Sequence, residues 1–327
     1  MDRKSLGATA LQVSALSLGH SMGAQDFSEA GQRQFHALIA RSLDLGLNFF
    51  DSSDAYWDGR HETWLGQALA GRRHEAVITS KFGNLTLPDG RKATNGRPEY
   101  AIACCEASLK RLGTDVIDLY YLHRVDPKVP IEDTVGAMAQ LVAQGKVRHI
   151  GLCEAGPATL ERAHRVHPVT ALQTEYSLWC RHAAEPMLAL CRRLGIGLVG
   201  YSPLGRGLLT GTIQRHDDLA PGDRRRIHPR FKDEHLARNL VLVQGLDAMA
   251  QAIGLSTAQL ALAWASSQGS DIVPLTGTQR IEYLEHSVAA SQVQLSAAQR
   301  AELEALFSPE ACAGERYPVE MLKDLGI

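Results

Sequence analysis

Short apolar runs alternate with longer stretches of helical period from one end of the chain to the other. Runs at 15–19, 47–51, 76–81, 117–123, 148–153, 171–175, 197–202 and 272–276 are short and apolar enough to read as buried strands. Between them, apolar residues recur at helical spacing. In 98–113, Ile102, Cys105, Leu109 and Leu112 fall at i, i+3, i+7 and i+10, with Pro98 near the start and Gly113 at the end. In 131–144, Ile131, Val135, Met138 and Val142 share one face before Gly145. Eight strands, each followed by a helix, predict an all-parallel sheet closed on itself, a (β/α)₈ barrel. An open doubly wound sheet would carry G-x-G-x-x-G after its first strand. Here Gly205-Arg206-Gly207 reaches its next glycine at Gly211, one residue too late. The stretch from Leu6-Gly7 to Ser14 predicts a small hairpin over the barrel floor, and extra helices are expected near the C-terminus. With no repeat, low-complexity tract or linker, residues 1–327 read as one domain.

Polar residues close three of these apolar runs. Asp51 ends LNFFD, Lys81 ends AVITSK, His123 ends IDLYYLH, and Tyr56 lies five residues beyond the first. A polar group at the end of a buried strand is costly unless it is paired. In a parallel barrel the strand C-termini converge on the face where such enzymes do chemistry. Singly, each residue has an ordinary explanation: a turn cap, a packed ring, a solvated ammonium, a satisfied histidine. Together, on strands about 4.8 Å apart, they can touch. A cation about 4 Å from the phenol, at an effective dielectric of about 20, is worth roughly 4 kcal/mol. On that reasoning Lys81 lowers the Tyr56 pKa by up to about three units. Tyr56 then acts as general acid, Asp51 aims the ammonium, and His123 hydrogen-bonds the oxygen that Tyr56 protonates.

After the seventh strand the alternation lapses. Residues 205–234 hold seven Arg/Lys (206, 215, 224, 225, 226, 230 and 232) and five acids, the signature of a binding loop or lid. The competing explanation for Arg224–Arg226 is a solvated face.

Composition narrows the class. The chain is 45% hydrophobic and 21% charged, an ordinary soluble balance, and a net charge of -2 gives no reason to expect nucleic acid or an anionic membrane as partner. No run of about 18 apolar residues is present, so neither a signal peptide nor a membrane span is expected. Cysteines 104, 105, 153, 180, 191 and 312 lack metal or disulfide spacing and read as reduced thiols of a cytoplasmic protein. The thirteen histidines show no H-E-x-x-H, so no metal is expected.

The blocks FFDSSDAY, ITSKFGN, SLKRLGTDVIDLYYLHRVDP, GKVRHIGLCEA, LQTEYSLW, YSPLGRGLLTG and VPLTGTQRIEYLE occur in one order. From LGATALQVSALSLG to GERYP, the chain resembles the aldo-keto reductases. That resemblance implies a barrel with NADP(H) extended across its C-terminal mouth, and metal-free hydride transfer to a carbonyl. By matched position it implies Tyr56 as proton donor, with Asp51, Lys81 and His123 in support. It places Gln173 at the nicotinamide carboxamide and Tyr201 under the nicotinamide ring. Cys153 and Glu154 fall where Ser-Asn often lies beneath that ring. Ser202 to Gly207, including Leu204, resembles the pyrophosphate turn, and Gly277, Thr278 and Arg280 fall at the adenosine 2′-phosphate.

Several positions depart from the family pattern. Gln279 stands where lysine is frequent and His286-Ser287 where Glu-Asn is frequent, which narrows the margin for NADPH and leaves NAD(H) open. Trp57 follows the proton donor where glycine is common and is expected to narrow the substrate mouth, with Trp179 a second expected pocket wall. The resulting expectation is an NADPH-dependent reductase of small aldehydes, sugars or related carbonyls. Two rivals stay open: an NAD(P)-dependent sugar or alcohol dehydrogenase, and a nucleotide-holding regulatory subunit with slow turnover. A serine hydrolase is disfavoured, because Ser202 is followed by Pro203 and lacks G-x-S-x-G.

Overall fold

Strands buried on both faces need a layer outside and a plug inside, and the chain supplies both. The computed structural model describes residues 1–327 except 21–24, 88, 182–184, 324 and 327. The chain opens on an antiparallel hairpin of β1 (Arg3–Ser5) and β2 (Gln12–Ser14). Eight strands then close a barrel: β3 (Ser17–Gly19), β4 (Phe49–Asp51), β5 (Val77–Phe82), β8 (Ile117–Leu122), β9 (Val147–Cys153), β10 (Val169–Glu175), β11 (Gly197–Tyr201) and β12 (Ile272–Gly277). A second hairpin, β6 (Asn84–Thr86) with β7 (Lys92–Thr94), stands on the loop after β5. Every neighbouring pair in the barrel is parallel, as the alternation of runs predicts.

Helices α1 (Glu29–Asp44), α2 (Arg60–Ala68), α3 (Pro98–Leu112), α4 (Ile131–Ala143), α5 (Pro157–Val166) and α6 (Glu185–Leu194) follow the first six barrel strands in turn. Helix α3 begins at Pro98 and stops where Gly113 adopts φ 62°. After β11 come α7 (Asp233–Ala252) and α8 (Thr257–Ser266); after β12 come α9 (Ile281–Ala290), α10 (Ala297–Leu306) and the short α11 (Val319–Leu322).

The inner core joins Phe49, Val77, Leu119, Tyr121, Ala171, Val199 and Val273 of the barrel to Leu6, Leu11 and Val13 of the first hairpin. The hairpin therefore plugs the floor. Burying a leucine such as Leu6 contributes roughly 1.5–3 kcal/mol. Gly7 makes the plug fit: it adopts φ 59°, and a Cβ there would lie 2.7 Å from the carbonyl oxygens of Gly195 and Thr170. A second core packs α7, α8 and α10 around Leu246, Trp264 and Phe307. Among the described residues no single helix is long and apolar enough to cross a membrane.

Residues 205–234 fold as four short 3₁₀ turns rather than an open excursion. Arg206 and Arg230 are buried and pair with the wholly buried Glu175, each at 2.9 Å. Arg225 pairs with Asp223, and Arg226 donates to the Leu219 carbonyl oxygen. The solvated-face explanation therefore does not describe Arg225 and Arg226, which hold the segment to itself, whereas Arg224 between Asp223 and Arg225 is exposed.

Candidate active site

Strand register sets the first contact. Asp51 lies opposite Thr79, so Lys81, two residues further along β5, reaches over the strand end. Thr79 Oγ1 donates to Asp51 Oδ2 at 3.0 Å, and Gln173 Nε2 donates to the same oxygen at 2.8 Å from across the barrel. Lys81, with no exposed surface, donates to Asp51 Oδ1 at 2.5 Å, to the Ser52 carbonyl oxygen at 2.7 Å and to the Tyr56 hydroxyl at 3.2 Å. All three ammonium protons are spent, which fixes the side chain. Burial opposes its charge, but Asp51 and Tyr56 prevail and hold the Lys81 pKa above its ordinary value.

Tyr56 opens a 3₁₀ turn whose next two residues, Trp57 and Asp58, both adopt φ 54°. Left-handed backbone outside glycine costs on the order of 1–3 kcal/mol per residue. Here it turns the phenol inward and wedges the Trp57 ring between His61 at 4.8 Å and Trp64 at 5.6 Å. His123 meets Tyr56 edge-on at 5.7 Å and engages Ser53 Oγ through Nδ1 at 3.2 Å. Burial, with Lys81 and Arg124 adding to it, drives the His123 pKa well below the ordinary range, so the imidazole is neutral.

The phenol corrects one expectation. Its pKa is raised, because burial outweighs the downward pull of Lys81 and Asp51 pushes it up further. The cation alone would lower the phenol pKa. In the structure the carboxylate sits against that cation and cancels much of its field, so Tyr56 holds its proton firmly.

A cavity of about 890 Å³ opens over these groups. Tyr56, Trp57, His123, Gln173, Tyr201, Ser202, Leu204 and Gly207 line it, as do Gly277, Thr278, Gln279, Arg280, His286 and Ser287. Ser202 and Gly207 both have positive φ, 53° and 94°, which curls the backbone of that turn. A Cβ on Gly205 would lie 2.2 Å from the Trp179 ring. Arg280 caps the start of α9, donates to the Tyr283 hydroxyl at 3.2 Å and makes no ion pair with the described residues.

Three expected residues lie elsewhere. Trp179 is buried against Phe307 at 4.9 Å and is not part of the cavity wall, because Gly205 packs on its ring and seals it beneath the turn. Cys153 and Glu154 are also buried behind the wall. Glu154 binds Arg316 at 2.8 Å and accepts from the Tyr201 hydroxyl at 2.8 Å. Lining residues without a role from the sequence include His20 and Tyr317, while Arg224 lines it from the 205–234 segment that the sequence marks as a binding loop. His20 stacks on the Tyr56 ring at 4.8 Å, and burial, reinforced by Lys81 and Arg224, lowers its pKa to about 4. It directly follows the first barrel run, so the same strand-end logic points to it. Among the described residues no cluster of His, Cys, Asp and Glu is arranged to hold a metal.

Residues 15–307 match the sequence model of the aldo/keto reductase family. The chain belongs to that family. It is thus an oxidoreductase of the kind that pairs a nicotinamide cofactor with a small carbonyl compound. Similar solved structures include the glycerol dehydrogenase AKR11B4 of Gluconobacter oxydans, 24% identical over 93% of this chain and 94% of that one, with a TM-score of 0.84. The aldo-keto reductase AKR11C1 of Bacillus halodurans, in its holo form, is 24% identical over 94% and 97%, with a TM-score of 0.79. The thermostable aldo-keto reductase Tm1743, in complex with the inhibitor epalrestat, is 26% identical over 94% and 100%, with a TM-score of 0.74.

Proposed function

We propose that this enzyme reduces an aldehyde or ketone with NADPH, and that Tyr56 delivers the proton. The observation that carries the reading is the buried chain Asp51–Lys81–Tyr56, at 2.5 and 3.2 Å, ending in a phenol that faces the cavity beside a neutral histidine. The cavity suits the cofactor: it runs from the phenol, past the curled Ser202–Gly207 turn, to an Arg280 guanidinium free of acidic partners among the described residues. Tyr201 and Gln173 are the residues proposed to hold the nicotinamide end. Backbone groups of Ser202, Leu204 and Gly207 are proposed for the pyrophosphate, and Thr278 with Arg280 for a 2′-phosphate. A bound dihydronicotinamide supplies the hydride. The protein's part is to keep Tyr56 protonated until an alkoxide forms, to hold Lys81 charged beside it, and to orient the oxygen against His123.

The test is turnover of aldehydes, ketones and aldoses with NADPH and NADH in parallel. Tyr56→Phe is expected to lower kcat/KM by about 10²–10⁴-fold while nucleotide Kd stays within about twofold. Undiminished turnover in that variant removes Tyr56 as donor. Tight nucleotide binding with no turnover of any carbonyl favours a regulatory subunit instead.

A further inference from the structure

His123 has two ring nitrogens, and only Nδ1 has a partner among the described residues. That partner is Ser53, a wholly buried serine in the loop between β4 and Tyr56. Ser53 Oγ lies 3.2 Å from His123 Nδ1, 3.2 Å from Asp54 Oδ1 and 3.5 Å from the Lys81 carbonyl oxygen, and it accepts from the Ala55 N–H at 3.2 Å. A hydroxyl has one proton to give and two lone pairs. One lone pair is taken by Ala55, so the direction of the bond to Asp54 dictates the direction of the bond to His123.

We propose that Ser53 and Asp54 are positioning residues that set the tautomer of His123, and so decide whether its Nε2 donates to the reacting oxygen or accepts from it. The inference rests on the reading of Tyr56 and His123 as the groups that face that oxygen. With Asp54 ionised, Ser53 donates to the carboxylate, the stronger, charge-assisted bond. Its remaining lone pair then needs a donor, so His123 carries its proton on Nδ1 and presents a bare Nε2. With Asp54 protonated, the carboxyl donates to Ser53, Ser53 donates to Nδ1, and the imidazole proton moves to Nε2. That second arrangement suits a carbonyl oxygen, and the first suits the hydroxyl of an alcohol. No proton is gained or lost at His123 itself.

The charges around the relay keep the switch in a workable range. Asp54 is raised to about 6, first by burial and then by Glu62 of α2, with Ser53, Arg111 and the Cys104 thiol of α3 opposing. Tyr100, also on α3, feels the Asp54 charge in turn. His123 faces Lys81 of β5, its neighbour Arg124 and the Tyr56 ring, and stays neutral throughout. His20 and His228, each lowered to about 4 chiefly by burial, titrate well away from Asp54.

The deciding experiment is ¹⁵N NMR of the full-length protein labelled in histidine, with the His123 signals assigned by their loss in His123→Gln. The expected result is an Nδ1–H tautomer at about pH 8 that becomes Nε2–H at about pH 5, and a single pH-independent tautomer in Asp54→Asn. In parallel, kcat/KM for aldehyde reduction is expected to fall about tenfold from the lower to the higher pH in the parent, the worth of one charge-assisted hydrogen bond. That inflection should vanish in Asp54→Asn and in Ser53→Ala. A His123 tautomer that does not change with pH in the parent protein overturns the proposal, and so does an inflection that persists in both variants. If no carbonyl is reduced, the functional reading fails while the tautomer measurement still decides the relay. If Tyr56-dependent reduction is found with a fixed tautomer, the relay alone falls.

Discussion

Lys81 shows how much of this site depends on one side chain having no freedom left. Its three protons go to Asp51, Ser52 and Tyr56, so the phenol is placed by a group that cannot turn away. The four residues were legible because each closes an apolar run or lies just beyond one. His20 obeys the same rule, yet its run was read as ending at Gly19. Ser53 was not legible at all, since its contact with His123 spans seventy positions of sequence. Nor was the direction of the phenol shift, which turns first on how deeply the ring is buried and then on how closely Asp51 sits against the cation. At the other end of the cavity, Arg280 is proposed to grip a 2′-phosphate in place of the missing lysine. Arg280→Ala is therefore expected to raise the Kd for NADPH by about tenfold or more and that for NADH by less than about twofold. Titration of cofactor fluorescence measures both, and equal losses would remove Arg280 from phosphate recognition.

Elements were the most readable level. The 98–113 and 131–144 patterns became Pro98–Leu112 and Ile131–Ala143, because glycine punctuation and a one-sided apolar stripe are local properties. The first two strands are shorter than their runs, Ser17–Gly19 and Phe49–Asp51, because ladder pairing starts deeper in the barrel than the apolar run does. The floor hairpin was legible from its glycine. Gly7→Ala drives a methyl into two carbonyl oxygens at a left-handed position, so it is expected to destabilise the protein by about 1–3 kcal/mol. Thermal unfolding of the variant checks this; an unchanged midpoint would mean that the hairpin moves without cost. The loop after β11 resisted reading for the opposite reason. Arg206 and Arg230 answer to Glu175, an acid 31 and 55 residues earlier in the chain, and no periodicity encodes such a pairing.

At the level of the whole molecule, Glu175 joins the barrel to that loop, and its charge carries a pH signature. Burial alone would raise its pKa, but Arg206, Arg230 and Arg316 prevail and hold it below the ordinary range. A depressed folded value means its stabilisation is present above the unfolded pKa of about 4.3 and is lost as pH falls through the folded value. Urea midpoints are thus expected to drop on acidification below about pH 4.3, with a shallower slope in Glu175→Gln. That variant also loses about 3 kcal/mol at neutral pH, because two guanidiniums are left facing a neutral amide. A slope identical in both proteins would acquit Glu175. The top of the barrel is tied in one further place. Arg316 and the Gly326 N–H both bind Glu154, and the Tyr317 hydroxyl lies 3.0 Å from that of Tyr201. The floor, by contrast, is sealed by Leu6, Leu11 and Val13. On the ribosome these two closures are made at opposite ends of synthesis. The plug emerges before any barrel strand exists, whereas Arg316 and Tyr317, which lock Glu154 and Tyr201 in place, emerge only after all eight are complete. A nascent chain can thus gather its interior while the bracing around Tyr201 at its mouth is still unfinished.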